Sequence, residues 1–324
     1  MRHPTRRRLL AAGLAAPLML GRATAATAFP SRPMRIVVPF TPGASTDQIA
    51  RLLAQRLGET WKRTVLVENR PGGATQIGTD LVAKAPPDGH TMLMAGFAFG
   101  VNPSLVPKPP YDALRDFAPV VLCAATPNLL VVGADQPMRT VADLLAASRS
   151  SPDGLAVASA GLATSNHLCI ELLKAKTGAN LLHVPYKGSV PAVLDVIAGR
   201  VPAIFDNVPN VLPHVKAGKL RALAVTTPRR FALLPQMPTM IESGVPDFEV
   251  TSWFGLAAPA RVPREVVDIV NAEVNRILLQ PDFRDLFLAQ GVEPVGGSPE
   301  QFGNQIRAQI ARWAPVVKAA GLGG

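Results

Sequence analysis

The chain has 324 residues, 48% of them hydrophobic, a formal net charge of +10 and two cysteines. That length exceeds what one compact core usually holds, and two cysteines cannot staple a small disulfide scaffold. Five of the 33 basic residues and none of the 23 acidic ones precede residue 29, so the charge beyond that point is +5. With Lys and Arg scattered and aromatics few, no nucleic-acid surface is expected.

Residues 1–28 read as an export signal. Arg2, Arg6, Arg7 and Arg8 form a basic start, and the apolar run at 9–20 is too short to span a bilayer. Ala26-Thr27-Ala28 supplies a small-x-small cleavage pattern, which places the expected mature start at Phe29. The two alternatives are an uncleaved anchor and, for the export route, a twin-arginine signal at 5–10. No later segment has the apolar length of a transmembrane helix, so an exported soluble protein is expected.

A strand is predicted at 36–40 from Ile36, Val37 and Val38, and it ends at Pro39 and Pro42. Gly43 permits a tight turn, and Ser45 to Asp47 offer N-caps for a helix at 47–61. A strand that breaks into a small-residue loop and a helix start presents free N–H groups and a positive dipole end, an anion site without a charged side chain. Further strands are predicted at 65–68, 91–95, 120–124 and 129–132, with helices at 75–85 and 141–148. A second strand-loop-helix follows, with a strand at 156–159, a Gly/Ala/Ser/Thr loop and a helix at 165–177. Strands at 182–184, 203–205, 222–226 and 253–257 then alternate with helices at 191–198 and 208–217, and helices at 264–279, 282–290 and 299–319 close the chain. This alternation argues for α/β layers around largely parallel sheets. The two equivalent units, one per half, suggest two lobes that aim helix starts into a shared cleft.

The candidate ligand residues are Gly43, Ala44, Ser45, Thr46 and Asp47 on the first loop, and Ser159, Ala160, Gly161, Thr164 and Ser165 on the second. His167 is a candidate base or ligand contact, the alternative being a histidine bonded to local backbone. Asp47 is equally an N-cap, and Asp206 with Asn207 either faces the cleft or forms an Asx-turn. His183 and His214 are expected to be structural, and His90 to lie in a surface turn. Common hydrolase, metalloprotease and nucleotide-binding signatures are absent, and no nucleophile–base–orienter set emerges. No catalytic residue, cofactor or metal ligand set is nominated. Cys123 and Cys169 read as two separately buried thiols.

Many short motifs recur in a family order: Phe29-Pro-Ser-Arg-Pro33, Val67-Glu-Asn-Arg-Pro-Gly-Gly73, Ala85-Pro-Pro-Asp-Gly89, Asn102-Pro-Ser-Leu105, His183-Val-Pro-Tyr-Lys-Gly188, Phe205-Asp-Asn207 and Ser252-Trp-Phe-Gly255. In this order the chain resembles the Bug family, the periplasmic substrate-binding receptors of tripartite tricarboxylate transporters. The resemblance implies an α/β, type II periplasmic-binding-protein fold, with two lobes joined by two crossover strands and a ligand cleft between them. Lobe 1 would comprise 29–126 plus 250–324 and lobe 2 127–249, closing by hinge motion near 124–127 and 250–252. It further implies a monomer that captures a di-/tricarboxylate or related organic acid and hands it to a permease with one large and one small subunit. The ligand loops map onto 41–47 and 159–165, with Lys187, Gly188, Asp206 and Asn207 nearby. Many relatives carry consecutive glycines where this chain has Gly43-Ala44-Ser45, which narrows the cradle and adds a hydroxyl. Phe97 and Phe99 either line the cleft or pack in the core, and Asn102 is a candidate for the ligand's far end. The rival readings are a receptor for a signalling partner and an exported hydrolase using His167 or Asp47.

Overall fold

The structure, a computed structural model, describes residues 29–323; the expected export signal at 1–28 lies outside the described residues. Ten strands and ten helices, largely in alternation, are found among them. In chain order the first half runs β1 (Met34–Val38), α1 (Ser45–Trp61), β2 (Val65–Asn69), α2 (Gln76–Ala83), β3 (Thr91–Gly96), α3 (Phe97–Leu105), β4 (Phe117–Gly133) and α4 (Val141–Ser150). It continues with β5 (Leu155–Ser159), α5 (Ser165–Thr177), β6 (Leu181–Pro185), α6 (Ser189–Ile197), β7 (Ala203–Asn207), α7 (Val208–Lys216) and β8 (Leu220–Val225). The last elements are β9 (Thr251–Pro259), α8 (Arg264–Leu278), α9 (Pro281–Ala289), β10 (Glu293–Pro294) and α10 (Pro299–Ala319).

The strands follow the order β2-β1-β3-β9-β4-β7-β5-β6, with β8 and β10 also paired to β4. β4 is the strand common to both halves of this sheet. Its first part runs antiparallel to β9, from Phe117 opposite Pro259 to Pro127 opposite Thr251. Beyond Pro127 it pairs antiparallel with β7 and β8. On one side β1 is parallel to β2 and β3, and on the other β5 is parallel to β6 and β7. The carboxyl ends of these parallel strands are where helix starts and ligands are expected.

Sequence pattern explains the elements. Ile49, Leu53 and Leu57 bury one face of α1 against the sheet. In α10, Ser298 and Gln301 form a capping box, Pro299 occupies the first turn, and Phe302, Ile306, Trp313 and Val317 are buried. Cys123 and Cys169 are free, as expected, and each is buried in a different core cluster. Burial pushes the Cys123 thiol up to about 12. Among the described residues no helix is long and apolar enough to cross a membrane.

Three expectations are corrected. The two strands predicted at 120–124 and 129–132 are one, β4: its ladder to β9 runs on to Pro127 opposite Thr251, and pairing with β7 takes over at Asn128, so Pro127 lies inside the strand without breaking it. A helix follows β3 directly: α3 starts at Phe97 and contains Gly100 and Pro103, two residues that mask a helical pattern. His90 does belong to the turn at 87–90, but its side chain is buried, with its ring centroid 5.0 Å from that of Phe29.

Gly255, in the centre of β9, lies under the ring of Phe302, where an added Cβ would overlap the ring carbons. Gly255→Ala is therefore expected to cost about 1–3 kcal/mol through overpacking, measured as a lower denaturant midpoint with an unchanged m-value. An unchanged midpoint would show that α10 yields freely.

Candidate functional site

Five helices begin at the carboxyl ends of strands and point their first turns at one place. They are α1 after β1, α3 after β3, α5 after β5, α6 after β6 and α7 after β7. Their opening residues line a small interior chamber: Ser45 and Thr46, Phe97 and Ala98, Ser165 and Asn166, Ser189, and Asn210. Phe40, Phe254 and Ser252 complete the wall, and none of the lining residues is charged. The amides of Asp47 and Gln48 already bond the Ala44 carbonyl. Those of Ser45 and Thr46, in the first turn, have no intrahelical acceptor, and the same holds for Ser165 and Asn166. Each helix start favours an anion by roughly 0.3–1 kcal/mol when exposed and up to about 2 kcal/mol when partly buried.

The chamber walls are fixed by buried hydrogen bonds. Asp206 Oδ1 accepts from Asn166 Nδ2, Ser189 Oγ, the Asn207 amide and Asn210 Nδ2 at 2.7–3.0 Å, while Oδ2 has no partner. Burial pushes the Asp206 pKa up against those four bonds. Asn207 Nδ2 donates to Asn128 Oδ1 at 2.9 Å and to Ser252 Oγ at 2.8 Å, joining the end of β7 to β4 and β9. Ser45 Oγ donates to Asn210 Oδ1 at 2.9 Å, and this bond joins the start of α1 to α7 across the site.

The predicted residues divide by position. Ala44, Ser45, Thr46, Ala160, Thr164, Ser165 and Asn207 line the chamber. Gly161, Lys187 and Gly188 instead line an adjoining groove, with Ala160 and Thr164 common to both. Gly43, Ser159, Asp47, Asp206 and His167 line neither. Asp47 is a loop staple: Oδ2 accepts from the Gly43 amide and Arg51 Nε, both at 2.9 Å, and Oδ1 from Asn69 Nδ2 at 2.9 Å. Burial raises its pKa, but the bonds from Arg51, Gly43 and Asn69 prevail and leave it below the usual carboxylate range. Asp206 is the hub behind the wall, not part of its surface. Phe97 lines the chamber, whereas Phe99 packs in the core, stacked on Tyr111 and edge-on to Phe117. Asn102 holds the 74–75 turn through Nδ2, bonded to the Ala74 carbonyl at 2.7 Å and Thr75 Oγ1 at 3.1 Å.

His167 is fully buried and stacks on His183, with ring centroids 4.1 Å apart. Its Nδ1 accepts from the Ala163 amide at 3.3 Å, so it supports the second loop from behind. Ser159 Oγ lies 2.6 Å from His183 Nε2 and 3.1 Å from the Gly161 amide, which ties that loop to the histidine pair. Sequence reading missed Phe40, Ala98, Asn166, Ser189, Asn210, Ser252 and Phe254. The starts of α6 and α7 were legible as Ser and Asn after strands, but neither has the glycine-rich loop that drew attention to the first two units.

Desolvation holds His167 down to about 3, helped by His183 and Lys174, and His183 down to about 4, helped by Lys174. Both folded values lie below the ordinary value near 6.5, so the folded state binds protons more weakly than the unfolded one. Their contribution is complete above about pH 6.5 and is lost as pH falls toward about 4 and then about 3. Stability is expected to drop between about pH 6.5 and 4.5, on the order of 2 kcal/mol for each histidine. Denaturant titrations of the wild type and His167→Gln check this: the variant should show the shallower slope, and equal slopes would contradict it.

Comparison with known proteins places this geometry. The family model described as the tripartite tricarboxylate transporter family receptor matches residues 49–322. Protein BugT of Bordetella pertussis is 38% identical over 312 residues, 96% of this chain and 94% of that protein. Rpa4515 of R. palustris, solved with adipate, is 40% identical with a TM-score of 0.88 over 90% of this chain and 98% of that one. MatC of Rhodopseudomonas palustris, solved with bound malate, is 31% identical with a TM-score of 0.85 over 89% of this chain and all of that one, 100%. The mixed α/β architecture is that of the periplasmic binding proteins, and the matched relatives are receptors, not enzymes. The chain belongs to the tripartite tricarboxylate transporter receptor family, the periplasmic receptors that include the Bug proteins.

Proposed function

We propose that the protein captures a small organic acid in the chamber and delivers it to a transporter permease of one large and one small subunit. The observation that carries this reading is the charge-free chamber where five helix starts converge. A carboxylate would accept from the amides of the first turns and from the Thr46 hydroxyl, the Ser45 and Ser165 protons being committed to Asn210 Oδ1 and Asn128 Oδ1. Such charge-assisted bonds are short and roughly twice as strong as neutral ones. The relatives solved with adipate and malate support the same class of ligand. The groups a hydrolase would need are occupied: Asp47 staples the first loop and His167 lies behind the second.

In this reading the protein is exported, cleaved after Ala28 and works as a monomer. The moving lobes are 29–126 with 250–324, and 127–249. They hinge where β4 passes from one set of partners to the other and where Val250 returns beside Thr226. The Ser45–Asn210 bond spans those lobes and is made only when they close.

A thermal-shift panel of mono-, di- and tricarboxylates on residues 29–324 tests the reading, with stabilisation by at least one acid expected. Stabilisation by neutral or cationic solutes alone would refute it. Gly161 has φ +126°, and an added Cβ would lie 3.0 Å from the Tyr186 carbonyl oxygen. Gly161→Val is therefore expected to lower affinity at least about tenfold while the fold persists. Wild-type affinity would remove that loop from the site.

A further inference from the structure

The chamber has a volume of about 30 Å³, enough for one carboxylate head and far too little for a whole organic acid, so the rest of any ligand must lie outside it. It shares Phe40, Ala160 and Thr164 with an adjoining groove of about 520 Å³. That groove is walled by the second loop and by the turn Gly72-Gly73-Ala74-Thr75, which leads into α2. The four residues of the turn have φ of +120°, +56°, +52° and +73°, all on the left-handed side. Glycine adopts such values freely, whereas Ala74 and above all the β-branched Thr75 do so only under strain. A conformation of this kind persists where its surroundings hold it in place.

The holding group is Asn102, fully buried in α3. Its Nδ2 donates to the Ala74 carbonyl at 2.7 Å and to Thr75 Oγ1 at 3.1 Å, and a third contact to the Tyr111 hydroxyl at 3.2 Å fixes the direction of the amide. From α2, Thr79 Oγ1 donates to the Thr75 carbonyl at 2.8 Å. The bonds from Asn102 thus fall on the two strained residues, and they come from the helix whose first turn walls the chamber. Asn102 itself lines neither the chamber nor the groove.

Taking the carboxylate reading as its basis, we infer that Asn102 is a positioning residue for ligand binding. It acts through the 72–75 turn and not by contact, keeping Ala74 and Thr75 in the left-handed form that shapes the groove. Because Thr75 Oγ1 accepts from Asn102, it keeps its own proton for an acceptor in the groove. When the turn is released, only the molecules that still hold it are competent to bind, and the apparent affinity falls by that fraction.

Isothermal titration of residues 29–324 with adipate and with malate tests the inference as a double-mutant cycle between Asn102→Ala and Ala74→Gly. In the wild-type background Asn102→Ala is expected to weaken binding roughly tenfold, as release of one strained residue does. In the Ala74→Gly background the same substitution should cost less than about threefold, because glycine needs no holding at residue 74. A merely structural role would lower the unfolding midpoint and leave the loss of affinity equal in the two backgrounds. Thr79→Val, close to threonine in shape, removes the other side-chain bond on the turn and should weaken binding roughly threefold. Unchanged affinity in Asn102→Ala or, where that protein does not fold, in Thr79→Val overturns the inference and leaves the carboxylate reading standing. An equal loss in both backgrounds does the same. Failure of the wild type to bind any acid overturns both.

Discussion

The structure depends on bringing five helix starts to one point whose lining carries no charged side chain. Helices of nine residues or more begin there from β1, β3, β5, β6 and β7, so the positive ends of their dipoles share a space only a carboxylate head across. Two groups of parallel strands must then present their carboxyl ends to each other. The 17-residue β4, antiparallel to β9 in its first part and to β7 in its second, is what holds them in that relation. A neutral cradle of this kind favours an anion, yet it has no fixed charge to release when the ligand leaves. That suits capture and hand-over better than permanent retention.

The cradle needs stiff walls, because amides and hydroxyls act only at hydrogen-bond distance. Asp206 supplies the stiffness: one oxygen gathers donors from Asn166, Ser189, Asn207 and Asn210, all of them chamber residues. The cost is a buried carboxyl group whose other oxygen is unpaired, an arrangement that stability alone would not favour. The histidine pair plays the matching part beneath the second loop, and Asp47 does so beneath the first. Asp47, Asp206 and the two histidines thus serve to position the loops and walls around the chamber.

Much of this was legible from local patterns. The helices α5 and α10 begin and end where the sequence places them, because Thr164 and Ser298 are side-chain caps and Gly178 ends α5 in a left-handed turn. The two glycine-containing loops lead into the chamber, which Ala44, Ser45, Thr46, Ala160, Thr164 and Ser165 line. What stayed hidden was long-range. Nothing near Ser189 or Asn210 in the sequence reveals that they meet Asp206 and Ser45. The helix α3 was obscured by Gly100 and Pro103, and with it the approach of Phe97 and Ala98 to the chamber. Short polar side chains of Asp and His carry no local mark of whether they face a cleft or a core. Only the register of β7 beside β4 and β5 decides it.

The central claim is that backbone amides at helix starts, not charged side chains, hold the ligand's carboxylate. Amide chemical shifts of isotope-labelled protein, followed during titration with an acid that binds, test it most directly. The account predicts the largest downfield amide shifts at Ser45, Thr46, Ser165 and Asn166, the first-turn groups without intrahelical acceptors. Saturable binding with those four amides unmoved, and shifts confined to surface lysines and arginines, would contradict it.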